Sequence, residues 1–190
     1  FKNNSSYALR TIGNAYKAGA NWVILCDTNG GTLPHEIKDI IQEVSKIVPL
    51  KKIGVHFHND TDNATANSIE SIRCGVSQVQ GTFNGLGERC GNANLINVVS
   101  NIILKMNLQC SVKKNLKKIT NVSRTIDETL NRQTSRNLPF VGTAAFAHKG
   151  GLHISAVEKD PRCYEHIDPA KVGNQRTLVI SNQSGKSNII

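Results

Sequence analysis

Two histidines stand two residues apart in GVHFHND, Gly54 to Asp60. In an extended strand residues i and i+2 face the same side, so His56 and His58 converge while Val55 and Phe57 point away. Two imidazoles joined by one or two oxygen donors suit a divalent cation. Each histidine could equally be a hydrogen-bonded core residue, and the residue types leave both readings open. Two more stretches have the character of reactive loops. NGLGERCGNAN, Asn84 to Asn94, combines Gly85, Gly87 and Gly91, which permit tight turns and close backbone approach, with Glu88, Arg89, Asn92 and Asn94 as donors and acceptors. Its plain structural alternative is a turn that ends in a helix cap, with Asn92 or Asn94 as the capping residue. DTNGG, Asp27 to Gly31, offers the Thr28 hydroxyl as a donor to a carboxylate or carbonyl, or is simply a turn. Farther along, His148 and His153 flank a Gly-Gly pair and by themselves read as hydrogen-bonded histidines of a compact loop unit.

Something must bring these loops to one place. Ser6 to Ala18 has apolar residues at helical spacing, and the short apolar run NWVILCD follows. Pro34 suits the first turn of a helix whose stripe is Ile37, Ile40, Ile41, Val44, Ile47 and Val48, ended by Pro49. KIGVHFH is the next strand, Ala64 to Arg73 a helix with Ile69 and Ile72 inward, VSQVQGTF a third strand, and Leu95 to Leu104 an apolar helix. Ala18-Gly19-Ala20 and Cys74-Gly75-Val76 each put a helix-ending glycine just before a strand. This cadence is that of βα units with parallel strands, and three such strands end in polar loops at the same edge. In α/β folds that edge is where active sites gather. No loop follows G-x-G-x-x-G, which counts against a dinucleotide fold. Val112 to Leu130 reads as a basic amphipathic helix with Leu116, Ile119, Ile126 and Leu130 on one side. From Phe140 onward the chain is rich in Gly, His, Ala and Ser without a long periodic segment.

The 190 residues carry a net charge of +9, concentrated at Lys51-Lys52 and at Lys113, Lys114, Lys117 and Lys118. These groups are not interleaved with aromatics, which make up 5% of the chain, so solvated surface is favoured over nucleic-acid binding. No apolar run approaches the roughly 18 residues of a membrane span, and no secretory leader is visible. Five scattered cysteines without a CxxC point to neither a disulfide framework nor a zinc finger. A reducing, cytoplasmic setting is expected.

LCDTNGGTLP, GVHFHND, VQGTFNGLGERCGNANL, FVGTAAFAHKGGLHISAV and YEHIDPAKVGN together resemble the 2-isopropylmalate, homocitrate and citramalate synthase family, with the citramalate branch nearest. The resemblance covers almost the whole chain. It implies an α/β fold that is the C-terminal part of a TIM (β/α)8 barrel followed by a small, mainly helical subdomain. Residues 1–108 would be the last three or so βα units, 109–136 a linker helix, and 137–190 the post-barrel subdomain. It implies a divalent metal ion (Mg, Mn or Zn) on His56, His58 and Asn92, a substrate-carboxylate contact from Thr28, and catalytic roles for His153 and Tyr164. The reaction implied is condensation of acetyl-CoA with a 2-oxo acid, pyruvate favoured, followed by thioester hydrolysis, in branched-chain amino-acid (isoleucine/leucine) biosynthesis. A 2-isopropylmalate or homocitrate synthase, or a metal-dependent aldolase or lyase on the same barrel, are the alternatives. A homodimer is expected of the full-length protein. The family's remaining metal-ligating Asp and its catalytic Glu are expected in a preceding barrel segment, so this stretch alone is expected to be inactive.

Overall fold

The structure, a computed structural model, describes residues 1–179. The final residues of the expected 137–190 subdomain, 180–190, lie outside the described residues. The chain divides into two compact units, Phe1–Val98 and a second that begins at Val99.

The first unit alternates helix and strand: α1 (Ser5–Lys17), β1 (Val23–Asp27), α2 (Pro34–Ser45), β2 (Ile53–Phe57), α3 (Ala64–Arg73), β3 (Gln78–Gln80) and the start of α4 (Leu95–Leu104). The strands form one parallel sheet in the order β1-β2-β3. Register pairs Cys26 with His56 and His56 with Gln80, so these three share one face. On the opposite face Val55 and Phe57 are buried with Ile37, Ile41, Val44 and Val48, as apolar alternation requires. The fold is therefore α/β, with all three strand ends delivering loops to one edge.

The inward face of α3 differs from expectation. α3 does not bury Ile69 and Ile72, which are half-buried; it buries Ala64, Asn67, Ser68 and Ser71. Small residues let α3 approach closely. The Ser68 and Ser71 hydroxyls donate to the carbonyls of Ala64 and Asn67 within the helix, and the Asn67 amide donates to the Thr32 carbonyl outside it. α4 has Asn94 as its cap, whose side-chain oxygen accepts the Ile96 amide at 3.0 Å. Asn94→Ala is expected to cost about 1 kcal/mol, read as a lower urea-denaturation midpoint.

The division between units falls at 98/99, inside α4. Lys113–Lys118 is a 3₁₀ segment that runs into α5 (Ile119–Thr129). Leu116, Ile119, Thr120, Ser123 and Asp127 are its buried residues, whereas Leu130 is 51% exposed. The Thr120 hydroxyl donates to the Val172 carbonyl, which binds this helix to the chain that follows. Beyond it lie β4 (Ala147–His148), α6 (Gly151–Lys159) and β5 (Thr177–Leu178), with β4 and β5 paired in parallel. The periodicity of the residues did not mark α6, since Gly150-Gly151 opens it and only Ile154 and Val157 are buried. All five cysteines are free. Among the described residues no helix is long and apolar enough to cross a membrane.

Candidate active site

His56 is the fourth residue of β2, and His58 lies just past its end. The chain places the third donor beside them by folding the loop after β3 back on itself. Residues 91–94 return alongside the strand ends: the Ala93 amide donates to the Phe57 carbonyl and the Asn59 amide to the Gly91 carbonyl, both at 2.9 Å. These bonds make an antiparallel bridge between His58 and Asn92. The His56 and His58 rings have centroids 5.3 Å apart and planes at 71°, so they meet edge to face and do not stack.

The Asn92 amide has a fixed direction. Its Nδ2 donates to the Leu86 carbonyl at 2.9 Å, which leaves Oδ1 buried and, among the described residues, without a hydrogen-bond donor. His58 Nδ1 is in the same condition. Buried polar atoms are nearly always paired, so two orphans side by side call for a missing partner. An amide oxygen offers lone pairs, as does His58 Nδ1 in the tautomer protonated at Nε2, and a cation is one partner the two can share. With His56 they are a donor set that fits a divalent ion. Among the described residues no group of three His, Cys, Asp or Glu side chains forms a metal cluster, as the third donor here is an amide.

The loop depends on residues that tolerate left-handed backbone. Gly87 has φ +155° and Gly91 φ +87°; a Cβ at Gly87 would strike the Asn92 amide, and one at Gly91 the Gly85 carbonyl. Asn84 and Arg89 also have positive φ, at 57° and 54°.

Arg89 reaches out of this loop. Its Nε and Nη2 donate to Asp60 at 2.7 and 3.0 Å, and Nη2 also donates to the Thr28 carbonyl at 2.7 Å. One guanidinium thus joins the loops after β1, β2 and β3, and its hydrogen bonds hold the Asp60 carboxyl below its usual range. Thr28 is exposed at the end of β1. The Asn59 side-chain oxygen accepts the Ala64 amide, which anchors the start of α3. Among the loop's polar residues, Arg89 carried no sequence signal that marked it as the one spanning all three loops.

His153 and Tyr164 belong to the second unit. Both are exposed, and their rings pack with centroids 4.2 Å apart. His148 is buried with its Nε2 3.2 Å from Glu165 Oε1, a hydrogen-bonded histidine in the loop unit. Glu165 also accepts two bonds of 2.6 Å from Arg176. The Arg176 guanidinium, with help from His148, lowers the Glu165 carboxyl against the opposing effect of burial. This cluster was not read from the sequence.

Comparison with known proteins gives a consistent picture. Residues 1–126 match the HMGL-like family model, and residues 140–190 match the model described as homocitrate synthase post-HMGL domain-like. The whole chain is 47% identical to an (R)-citramalate synthase of Aquifex aeolicus and 50% identical to one of Sulfolobus acidocaldarius, in each case covering 36% of the relative. The chain thus spans about a third of the length of the curated relatives it matches. Among solved structures, HMG-CoA lyase of Bacillus subtilis aligns with a TM-score of 0.60 at 24% identity, over 69% of this chain and 45% of that one. That likeness is one of fold.

Proposed function

Because this chain belongs to the HMGL-like family, we propose that it forms part of an acyltransferase that joins acetyl-CoA to a 2-oxo acid, with pyruvate as the acceptor and citramalate as the product. The observation that carries the reading is the pair of buried, unpartnered atoms His58 Nδ1 and Asn92 Oδ1 beside His56, at the edge where three strand-end loops meet. The similarity to citramalate synthases along the full chain supports pyruvate over larger oxo acids.

His56, His58 and Asn92 would hold a divalent ion (Mg, Mn or Zn), which when bound supplies electrophilic polarisation of the keto group. Thr28 donates its hydroxyl to the acceptor carboxylate. His153 receives the proton that leaves the acetyl methyl group, and the ring of Tyr164 packed against it limits its orientation. The electron pair of that C–H bond becomes the new C–C bond to the keto carbon. The keto oxygen gains a proton and ends as a hydroxyl. Water then cleaves the thioester and releases the coenzyme A thiol. On this reading residues 1–108 are the end of a TIM barrel, 109–136 a linker helix and 137–190 the post-barrel subdomain. The full-length protein would be a cytoplasmic homodimer that serves branched-chain amino-acid synthesis, without nucleic-acid or membrane partners.

The full-length protein is expected to release free thiol from acetyl-CoA with pyruvate, and far less with 2-oxoisovalerate or 2-oxoglutarate. Preference for either larger acid would assign a 2-isopropylmalate or homocitrate synthase instead. Cleavage of a hydroxyacyl-CoA without condensation would assign a lyase.

A further inference from the structure

We infer that Arg89 is a positioning residue which sets the direction of the Asn92 side-chain carbonyl and through it the strength of the cation site; this rests on reading His56, His58 and Asn92 as that site. Asn92 does not orient itself. Its amide is turned by one bond to the Leu86 carbonyl, which also accepts from the Thr82 hydroxyl, and Leu86 sits in a loop rich in left-handed residues, a backbone with much freedom to lose. Gly87 lies directly on the Asn92 amide, so a shift of the loop is felt there at once. The two stems of the loop are held by backbone bonds, from Thr82 to Ala93 and from Asn92 to Gly85. Its outer part is fastened to the neighbouring loops by Arg89, through Asp60 and the Thr28 carbonyl.

The geometry needs a guanidinium. Two parallel bonds grip the Asp60 carboxylate while Nη2 still reaches Thr28, and a single ammonium cannot present that fork. With the fork removed, the Leu86 carbonyl keeps its bond from the Thr82 hydroxyl, but the outer turn that presses Gly87 against the Asn92 amide loses its tie to the neighbouring loops, and the direction of the Asn92 oxygen is held less firmly. Because the same guanidinium holds the Thr28 carbonyl, the loop carrying the proposed substrate-binding hydroxyl is loosened as well.

The test is Mn²⁺ binding by calorimetry to the full-length protein, well below its melting temperature, in Arg89→Gln, Asp60→Asn, the double variant and Arg89→Lys, with His58→Ala as reference. Arg89→Gln and Asp60→Asn are each expected to weaken Mn²⁺ binding by about 10- to 100-fold, the loss typical of a group that orients a ligand. The double variant should be no weaker than Arg89→Gln, because both changes break one linkage, and Arg89→Lys should restore only part of the affinity. Full Mn²⁺ affinity in Arg89→Gln or Asp60→Asn, or losses that add in the double variant, would overturn the inference. Equal Mn²⁺ binding by the wild type and His58→Ala would instead overturn the cation site itself, which separates the two failures.

Discussion

His58→Ala in the full-length protein is expected to lower thiol release from acetyl-CoA and pyruvate by roughly 10²- to 10³-fold, the scale of losing one group that stabilises developing charge. The same variant should lose the rise in melting temperature that a divalent cation gives the wild type, since an ion that binds only the folded state stabilises it by mass action. The cation-free protein should behave differently. Among the described residues His58 Nδ1 is buried without a partner, and such an atom costs about 1–3 kcal/mol. Its removal offsets the packing lost with the ring, so the melting temperature without cation should change little. Loss of function with retained cation-free stability identifies a ligand; parallel loss of both would make His58 a core residue. Differential scanning fluorimetry with and without Mn²⁺ distinguishes the two.

Glu165→Gln is expected to destabilise the second unit substantially. The Glu165 side chain is 2% exposed and serves both Arg176 and His148. Breaking a fully buried pair by removing one partner costs about 3–5 kcal/mol. Arg176 keeps 36% of its side chain in solvent, so about 2–3 kcal/mol is the better figure after screening. Urea denaturation of the full-length variant measures it. The pH dependence has a definite sign. The folded pKa of Glu165 lies below its ordinary value of 4.5, so its stabilisation is fully present above about pH 4.5 and declines as the pH falls through the folded value. In the glutamine variant this acid-dependent part should vanish. Turnover should fall too, because Glu165 is the residue next to Tyr164, and its anchorage fixes where that ring meets His153.

The parts of the site that were legible in the sequence are those set by local geometry. Period two made His56 and His58 converge without any knowledge of their surroundings, and the helix and strand cadence gave α3 and α4 their observed limits. A choice between Asn92 and Asn94 needed the backbone: Asn94 caps α4, which frees Asn92 to face His58. Asp60 gave no local reason for its type, because its partner lies 29 residues away. The inward face of α3 was misjudged because large apolar residues outweigh serines in any periodicity, whereas close packing prefers small side chains whose hydroxyls can bond back to the helix. α6 was missed for the opposite reason: a Gly-Gly start suggests a loop, and its two buried residues are too few to make a stripe.

The reach of Arg89 also constrains the order in which this unit can be built. It grips Asp60 across 29 residues and the Thr28 carbonyl across 61. Neither partner is in place until β1 and β2 have paired in register, and that parallel pairing must itself enclose a whole helix before it returns any bond. Loop closure of this length is an entropic cost paid ahead of the contacts it allows. The mouth is therefore absent from any partly folded chain that has helices but no sheet. The same topology acts in reverse on opening: once the strand ends fray, the three loops part while the helices below them stay formed, so binding competence is lost before the fold is.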